Sequence, residues 1–302
     1  MDEYLASLMT EKVNEETTQI DQCDTAGILQ MINREDRRVS EAVEKVIPQI
    51  AQAVDMITEA MKKGGRLFYF GAGPSGRLGI LDASECPPTY GVDPSLVQGY
   101  IAGGDQALRT AVEGSEDSEE LGRSEIGDRG VTRGDVVVGI TASGRTPYVL
   151  GVVRQAAKVG ARTIGIATNP NNLLQEEVEV CITPVVGPEV ITGSTRMKSG
   201  TAQKMVLNML TTASMIRLGK VYGNRMVDLK ASNVKLVERA KRIFSDVTGE
   251  PETVAQEYLA ASGMETKLAV MMFYSGLDSR EAAQVLEENR GSLRQALSAI
   301  SD

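Results

Sequence analysis

Two loops of the sequence carry hydroxyl groups directly before a predicted helix, and each follows a predicted buried strand. They span residues 71–76 and 141–146, and the triplet Ser-Gly-Arg begins inside each. Backbone N–H groups at a helix N-terminus attract anions because the helix dipole is positive there. Helix capping alone would explain the hydroxyls of one loop, but the repetition favours a phosphate monoester, whose oxygens accept several hydrogen bonds. The residues expected to bind the phosphate are Gly73, Ser75, Gly76, Thr141, Ser143, Gly144 and Thr146.

A third segment, residues 193–201, opens a long predicted helix. It adds more hydroxyl groups and two cations at another helix N-terminus. Loops that follow parallel strands meet at the carboxyl edge of the sheet, which is where ligands bind in open α/β folds. We therefore expect Ser194, Thr195 and Lys198 to join the same site.

The glycines of the first loop also match the G-x-G-x-x-G pattern of dinucleotide-binding folds. That pattern needs an acidic residue at the end of the next strand, about 20 residues further on. Here the next predicted strand ends at Gly103 and Gly104, and Asp105 comes too late. The sequence therefore favours a phosphate site over a dinucleotide site.

Short apolar runs alternate with helical patterns in the middle of the chain. Strands are predicted at residues 67–70, 97–101, 135–140, 163–167 and 178–184. Strands and helices that alternate at this spacing form βαβ units and a mostly parallel sheet covered on both faces. The predicted fold class is therefore α/β, with a doubly wound, mostly parallel sheet flanked by helices and with helical additions at both ends of the chain.

Helical periodicity dominates on either side of the predicted sheet. Apolar residues at three- and four-residue spacings predict helices before the first strand, with a break at Pro48 because proline lacks a backbone N–H. The residues after Asn233 have the pattern of helices only. We expect an N-terminal helical segment at 1–56, an α/β domain with the phosphate site at 57–221, and a C-terminal helical subdomain at 222–302.

The composition argues against several partners and mechanisms. The chain contains no histidine, so proton transfer would fall to carboxylates, lysine, tyrosine or cysteine. Its three cysteines are widely separated, so we expect neither a disulfide framework nor a metal site. A net charge of −9 argues against nucleic acid. No apolar run approaches the roughly 20 residues of a membrane span, and the acidic residues 1–3 do not begin a secretory signal, so we expect a cytoplasmic protein.

Several longer stretches resemble a known family. Together the three loops resemble the sugar isomerase (SIS) domain, which binds phosphorylated sugars. More specific likeness to the N-acetylmuramic acid 6-phosphate etherases lies in residues 71–79, 82–89, 111–117, 192–204 and 224–233. The resemblance extends over nearly the whole chain and includes Thr10 and Glu11 near its start. Pro74 departs from the family pattern, in which threonine is expected, so the first loop has one hydroxyl group fewer.

The resemblance implies an activity and two catalytic residues. Such enzymes cleave the lactyl ether of N-acetylmuramic acid 6-phosphate to N-acetylglucosamine 6-phosphate and D-lactate, in the catabolism or recycling of cell-wall sugar. By this resemblance Glu85 and Glu116 share the acid and base work, no cofactor or metal is used, and the chain forms a homodimer. Composition alone would place Glu116 in a solvated acidic stretch. Pro87 predicts that the helix carrying Glu85 ends close to it, at the border of a cleft.

Two other functions stay open at this point. An aldose–ketose phosphate isomerase would share the domain and the removal of a proton from C2, but it has no leaving group at C3. A non-catalytic sugar-phosphate sensor would resemble glucokinase regulatory protein, which has two such domains where this chain has one. An assay for D-lactate released from N-acetylmuramic acid 6-phosphate separates the three functions.

Overall fold

The computed structural model describes residues 8–110, 112–228 and 234–301. The acidic start of the chain, residues 1–3, and part of the motif at 224–233 lie outside the described residues. None of the helices within those described ranges is long and apolar enough to cross a membrane.

The chain divides into two compact units. The described residues up to Ser84 form the first unit together with Pro94–Thr211. Glu85–Asp93 and the described residues from Thr212 onward form the second unit. The three-part division expected from the sequence is not tested by this grouping and stays a prediction.

The first unit begins with short turns and two long helices. Short 3-10 helices span Met9–Glu11, Glu15–Thr17 and Ile20–Gln22. Helix α1 then spans Thr25–Glu44, and α2 spans Ile47–Lys62. Asp24 caps α1, because its carboxylate accepts the Gly27 N–H at 2.8 Å. Pro48 lies in the first turn of α2, where a missing N–H breaks no helical hydrogen bond, so the predicted break is confirmed.

Five parallel strands form the sheet of the first unit. They are β1 (Leu67–Gly71), β2 (Val97–Ile101), β3 (Val136–Ile140), β4 (Arg162–Ile166) and β5 (Val180–Ile182). Their order across the sheet is β2-β1-β3-β4-β5. The register places Leu67 opposite both Val97 and Val136. The strands lie within two residues of the predicted bounds. Strands β1 and β3 are fully buried apolar runs, whereas the three central residues of β2 are only partly buried.

Helices cover both faces of this sheet. They are α3 (Gly73–Tyr90), α4 (Glu119–Asp128), α5 (Pro147–Lys158), the short α6 (Leu174–Glu177) and α7 (Lys198–Arg217). Alternate residues of a strand point to opposite faces. Phe68 and Phe70 pack with Tyr148 of α5. Tyr69 faces α3 instead, where a β-carbon at Gly79 would lie 3.0 Å from its Cβ. The doubly wound α/β class is therefore confirmed.

The chain changes direction across the sheet at the neighbouring strands β1 and β3. From β1 it continues outward to β2, and from β3 it continues the other way to β4. Such a change leaves a crevice between the loops at the carboxyl ends of the two strands. The first two predicted phosphate loops start at these ends, at Gly71 and directly after Ile140.

Among the described residues of the second unit, the regular secondary structure is helical apart from one short hairpin. In the hairpin β6 (Val221–Tyr222) pairs antiparallel with β7 (Arg225–Met226). The helices are α8 (Val234–Thr248), α9 (Glu252–Ala261), α10 (Thr266–Ser275), α11 (Ser279–Glu288) and α12 (Leu293–Ser301). The Phe244 ring stacks on Tyr258 and meets the edge of Phe273, with both pairs of ring centroids 5.6 Å apart. The helical addition at the C-terminal end is confirmed, although the hairpin was not among the predicted elements.

Candidate functional site

A cavity of about 380 Å³ opens at the carboxyl ends of β1 and β3. Its wall combines the first two predicted loops with the N-terminal segment, the acidic stretch at Glu116 and the start of the third segment. Cavities of about 300–1,000 Å³ are the usual size of small-molecule sites. The fold thus brings the two loops that we expect to bind phosphate together at one crevice.

The second loop contributes three hydroxyl groups to this cavity. Thr141 Oγ1 lies 2.8 Å from Thr146 Oγ1 and 3.2 Å from Ser143 Oγ. All three side chains line the cavity. Gly144 closes the loop with φ +72°, and a β-carbon there would lie 2.3 Å from Asn172 Cβ, so the position requires glycine. The three hydroxyls bond to one another, and an anion that enters the cavity meets donors that can turn toward it.

The first loop contributes Ser75 and the N-terminus of α3. Ser75 lines the cavity, is 7% exposed, and donates its hydroxyl to Gln203 Oε1 at 2.9 Å. Gly73 is the first residue of the helix. A β-carbon at Gly76 would lie 2.7 Å from the carbonyl oxygen that ends β1, so glycine lets α3 start tightly against the strand. Pro74, the departure from the family pattern, lines the cavity without adding a donor.

The N-terminal segment forms a wall that sequence reasoning did not assign to the site. Leu8, Thr10 and Glu11 line the cavity. Thr10 donates its N–H to Asn169 Oδ1 at 3.2 Å, and Asn169 Nδ2 donates to Thr10 Oγ1 at 3.1 Å. The same Nδ2 donates to the Ala142 carbonyl at 3.1 Å, which ties this wall to the second loop. Thr10 and Asn169 are 159 residues apart, and only the family resemblance had drawn attention to Thr10.

Lys198, one of the two cations of the third segment, lies inside the protein. Lys198 is fully buried, and its Nζ donates to Glu35 Oε2 at 2.6 Å. Burial works to raise the pKa of Glu35, but hydrogen bonds from Lys198 and Asn14 outweigh burial and hold that pKa below its usual value. The backbone N–H groups of Lys198 and Ser199 both donate to the Glu189 carboxylate at 2.9 Å. The N-terminus of α7 is therefore bound by a carboxylate of the chain itself, and Lys198 does not reach the cavity wall.

The other two residues expected from the third segment, Ser194 and Thr195, differ in whether they line the cavity. Thr195 lines the cavity together with Gly193, whereas Ser194 is not part of the wall. The Gly193 N–H donates to the Thr10 carbonyl at 3.2 Å, which joins this segment to the N-terminal wall. Of the three residues expected here, the structure brings only Thr195 to the two phosphate loops.

The two candidate catalytic carboxylates are placed differently. Glu116 is exposed and lines the cavity beside Asp117. Its carbonyl accepts the Tyr148 N–H at 3.0 Å, which fixes the acidic stretch at the start of α5. Glu85 is an exposed residue of α3 and belongs to the second unit, so its pairing with Glu116 stays a prediction.

The predicted end of the helix near Glu85 was wrong. Helix α3 continues through Pro87 and Pro88 as far as Tyr90. Proline removes a backbone donor from a helix, and its ring crowds the carbonyl four residues earlier. These effects of Pro87 and Pro88 weaken α3 locally, but they do not by themselves end the helix.

The architecture and the cavity define a protein of the SIS class. Residues 125–213 match the SIS domain family, and residues 49–157 match the glucokinase regulatory protein N-terminal SIS domain. Together these two matches contain all five strands of the sheet and both phosphate loops.

Relatives match over almost the whole chain. N-acetylmuramic acid 6-phosphate etherase of Clostridium acetobutylicum is 54% identical over 98% of this chain and 98% of its own. The etherase of Clostridioides difficile is 55% identical over 98% of this chain and 97% of its own. That of Serratia proteamaculans is 53% identical over 97% of this chain and 99% of its own. The chain belongs to the N-acetylmuramic acid 6-phosphate etherase family.

Proposed function

We propose that this chain cleaves the D-lactyl ether of N-acetylmuramic acid 6-phosphate, in the catabolism or recycling of cell-wall amino sugar. The products are N-acetylglucosamine 6-phosphate and D-lactate. The observation that carries the proposal is the cavity at β1 and β3, which combines hydroxyl-rich phosphate loops with the Glu116 carboxylate in a chain of this family.

The phosphate group of the substrate binds between the first two loops. Ser75 of the first loop and Thr141, Ser143 and Thr146 of the second loop line the same cavity. Both helix N-termini add the positive end of a helix dipole, which favours an anion. The 6-phosphate is thereby anchored at the edge of the sheet, and the sugar extends toward Glu116 and the N-terminal wall.

The reaction is an elimination followed by an addition. An alkyl ether resists direct hydrolysis, because its alkoxide is a poor leaving group. In the open-chain sugar the aldehyde at C1 makes the C2 proton acidic. A base removes that proton, the C3–O bond breaks, and the lactyl oxygen takes a proton as D-lactate leaves. Water then adds across the new C2–C3 double bond, with its oxygen at C3 and a proton returned to C2.

Two carboxyl groups can perform the four proton transfers of this sequence. In our assignment Glu85 donates the proton to the lactyl oxygen, and Glu116 is its partner at C2. The position of Glu116 on the cavity wall supports its part of the assignment. The part of Glu85 rests on the family resemblance. Neither role requires a cofactor or a metal.

We also propose that the protein works as a cytoplasmic homodimer that engages neither nucleic acid nor a membrane. The homodimer rests on the family resemblance, and Leu29, Leu81 and Ile191, which are 60%, 51% and 51% exposed, are apolar side chains available to such an interface. The net charge of −9 supports the absence of nucleic acid. Light scattering at micromolar concentrations should give twice the mass of the chain, and a monomer throughout that range would contradict the dimer.

The activity is tested by incubating the protein with N-acetylmuramic acid 6-phosphate and assaying free D-lactate. Release of D-lactate with formation of N-acetylglucosamine 6-phosphate is the expected result. A product that keeps its lactyl group but is converted to a ketose would identify an isomerase. Tight binding of the substrate without any product would identify a sensor.

Turnover in heavy-oxygen water tests the chemistry. Elimination and addition place the solvent oxygen at C3 of the amino sugar and leave D-lactate unlabelled. Label in the ether oxygen position of lactate would mean that the bond on the lactate side breaks, and the proposed mechanism would then be wrong. Exchange of the C2 hydrogen with solvent is expected in the same experiment.

A further inference from the structure

The amide of Gln203 has a buried donor without an acceptor. Gln203 is 1% exposed and lies on α7, in the first unit. Its Oε1 accepts the Ser75 hydroxyl at 2.9 Å, whereas its Nε2 meets no hydrogen-bond partner among the described residues. An unpaired buried N–H is an unfavourable feature that folded proteins seldom keep.

The direction of this hydrogen bond matters for the phosphate site. A serine hydroxyl has a single hydrogen to donate and lone pairs that accept. While Ser75 donates to Gln203, it presents only lone pairs to the cavity, and those repel the oxygens of a phosphate. In this arrangement Ser75 would oppose the ligand that its loop is placed to bind.

A half-turn of the Gln203 amide reverses the bond. The two amide atoms are nearly equal in size, so Nε2 then occupies the place of Oε1 and donates to Ser75 Oγ. The Ser75 hydrogen is released toward the cavity, and the amide nitrogen, which had no acceptor, now donates one of its two hydrogens to Ser75 Oγ. The Gln203 Oε1 atom then occupies the former position of Nε2 and lacks a donor. An unpaired buried carbonyl oxygen is tolerated more readily than an unpaired buried N–H.

We infer that Gln203 is a positioning residue that turns the Ser75 hydroxyl into a donor to the phosphate group of the substrate. This inference rests on the proposed function, because it needs a phosphorylated ligand in the cavity. It also explains why a glutamine, which carries both a donor and an acceptor, stands behind Ser75 instead of an apolar residue. Gln203 belongs to one of the family-like stretches, but no role had followed from its sequence.

A double-mutant cycle on ligand binding tests the inference without relying on catalysis. Binding of N-acetylglucosamine 6-phosphate is measured by calorimetry for the wild type, Gln203→Met, Ser75→Ala and the double variant. Gln203→Met keeps the length of the side chain and removes both polar atoms. We expect it to weaken binding roughly 3- to 10-fold, as for the loss of one hydrogen bond, and Ser75→Ala to weaken it at least as much. In the Ser75→Ala background Gln203→Met should change the affinity by less than about 2-fold, because its only route to the ligand is gone.

Equal effects of Gln203→Met in both backgrounds would overturn the inference, since a structural role of Gln203 does not depend on the Ser75 hydroxyl. Gln203→Glu serves as a second variant if Gln203→Met does not fold. A carboxylate only accepts, so Ser75 stays turned away, and binding should weaken more than in Gln203→Met. Binding by Gln203→Glu as tight as that of the wild type would contradict the inference equally.

Two controls separate this inference from the proposed function. Unphosphorylated N-acetylglucosamine, measured with the same variants, should show no effect of Gln203→Met. With N-acetylmuramic acid 6-phosphate, Gln203→Met should raise KM and leave kcat nearly unchanged, because the phosphate contact is the same in the ground state and the transition state. A wild type that does not distinguish the phosphorylated from the unphosphorylated sugar would refute the phosphate site itself, and this inference with it. Wild-type binding that needs the phosphate but shows no coupling between the two residues would refute only the role of Gln203.

Discussion

The loops at residues 141–146 and 193–201 both bring hydroxyl groups to the N-terminus of a helix, yet their donors have different partners. In the first of these loops Thr141, Ser143 and Thr146 bond to one another and line the cavity. In the second, Glu189 already occupies the helix N-terminus. The same local chemistry therefore leaves hydroxyl groups open to a cavity in one loop and is used for folding in the other. What separates them is whether a carboxylate from a nearby part of the chain, here Glu189, already supplies the anion.

The largest effect expected from this comparison concerns the carboxylate beside the open loop. Glu116→Gln keeps the shape of the side chain but removes the base, so kcat should fall by roughly 10²–10⁴-fold with little change in KM. Release of D-lactate measures both constants. Asp117→Asn, next to it on the cavity wall, is the matched control and should lose much less. Near wild-type activity of Glu116→Gln would remove Glu116 from the mechanism.

The next largest effect concerns Lys198, the buried cation of the third segment. Lys198→Met leaves the Glu35 carboxylate buried without its main partner, which should lower the free energy of unfolding by about 3–5 kcal/mol. Urea unfolding measures this loss, and a second change, Glu35→Leu, should restore part of it. The KM of the folded variant should stay close to that of the wild type. A large rise in KM without a loss of stability would return Lys198 to the phosphate site.

Hydroxyl groups in the two loops provide a smaller and direct contrast. Ser143→Ala should weaken substrate binding by about 1–3 kcal/mol, because a charge-assisted hydrogen bond to the phosphate is lost. Ser194→Ala, outside the cavity wall, should leave KM unchanged. Steady-state kinetics on the phosphorylated substrate measures both. Equal rises in KM would mean that the third segment binds phosphate as well.

The smallest effect is a dependence of stability on acid. The pKa of Glu35 is lower in the folded chain than its unfolded value of 4.5, so its contribution is present above about pH 4.5. That contribution is lost as the pH falls through the folded pKa. The stability difference between wild type and Glu35→Gln should therefore be full at pH 7 and shrink in stronger acid. The control is Asp36→Asn, an exposed neighbour on α1, and a difference that grows on acidification would contradict the assignment.

Much of the fold follows from local patterns in the sequence. The five strands are short runs rich in apolar residues, and Gly76 and Gly144 mark the places where a helix or a turn approaches its neighbour too closely for a β-carbon. The positions of the loops after β1 and β3 could be predicted for the same reason, because strand, loop and helix are consecutive along the chain. Pro87 misled the prediction of α3, since a proline weakens a helix without necessarily ending it.

Long-range partners could not be predicted. Glu35 and Lys198 are separated by 163 residues, and no spacing reveals that one neutralises the other. Asn169 joins Thr10 to the second loop over a similar separation, so the N-terminal wall appears only in the fold. A lysine such as Lys198 can bind either the anion of a ligand or a carboxylate of the chain, because the electrostatic attraction is the same. Only the tertiary structure decides between the two.

The ratio of kcat/KM for N-acetylmuramic acid 6-phosphate to that for unphosphorylated N-acetylmuramic acid tests the central claim most directly. The wild type should strongly prefer the phosphorylated sugar. In the Ser75→Ala/Ser143→Ala double variant that preference should fall by at least about 10-fold, because two charge-assisted hydrogen bonds are lost, and in Ser194→Ala it should stay unchanged. A preference that survives in the double variant, or that falls in Ser194→Ala instead, would contradict the account in which the loops after β1 and β3 hold the phosphate.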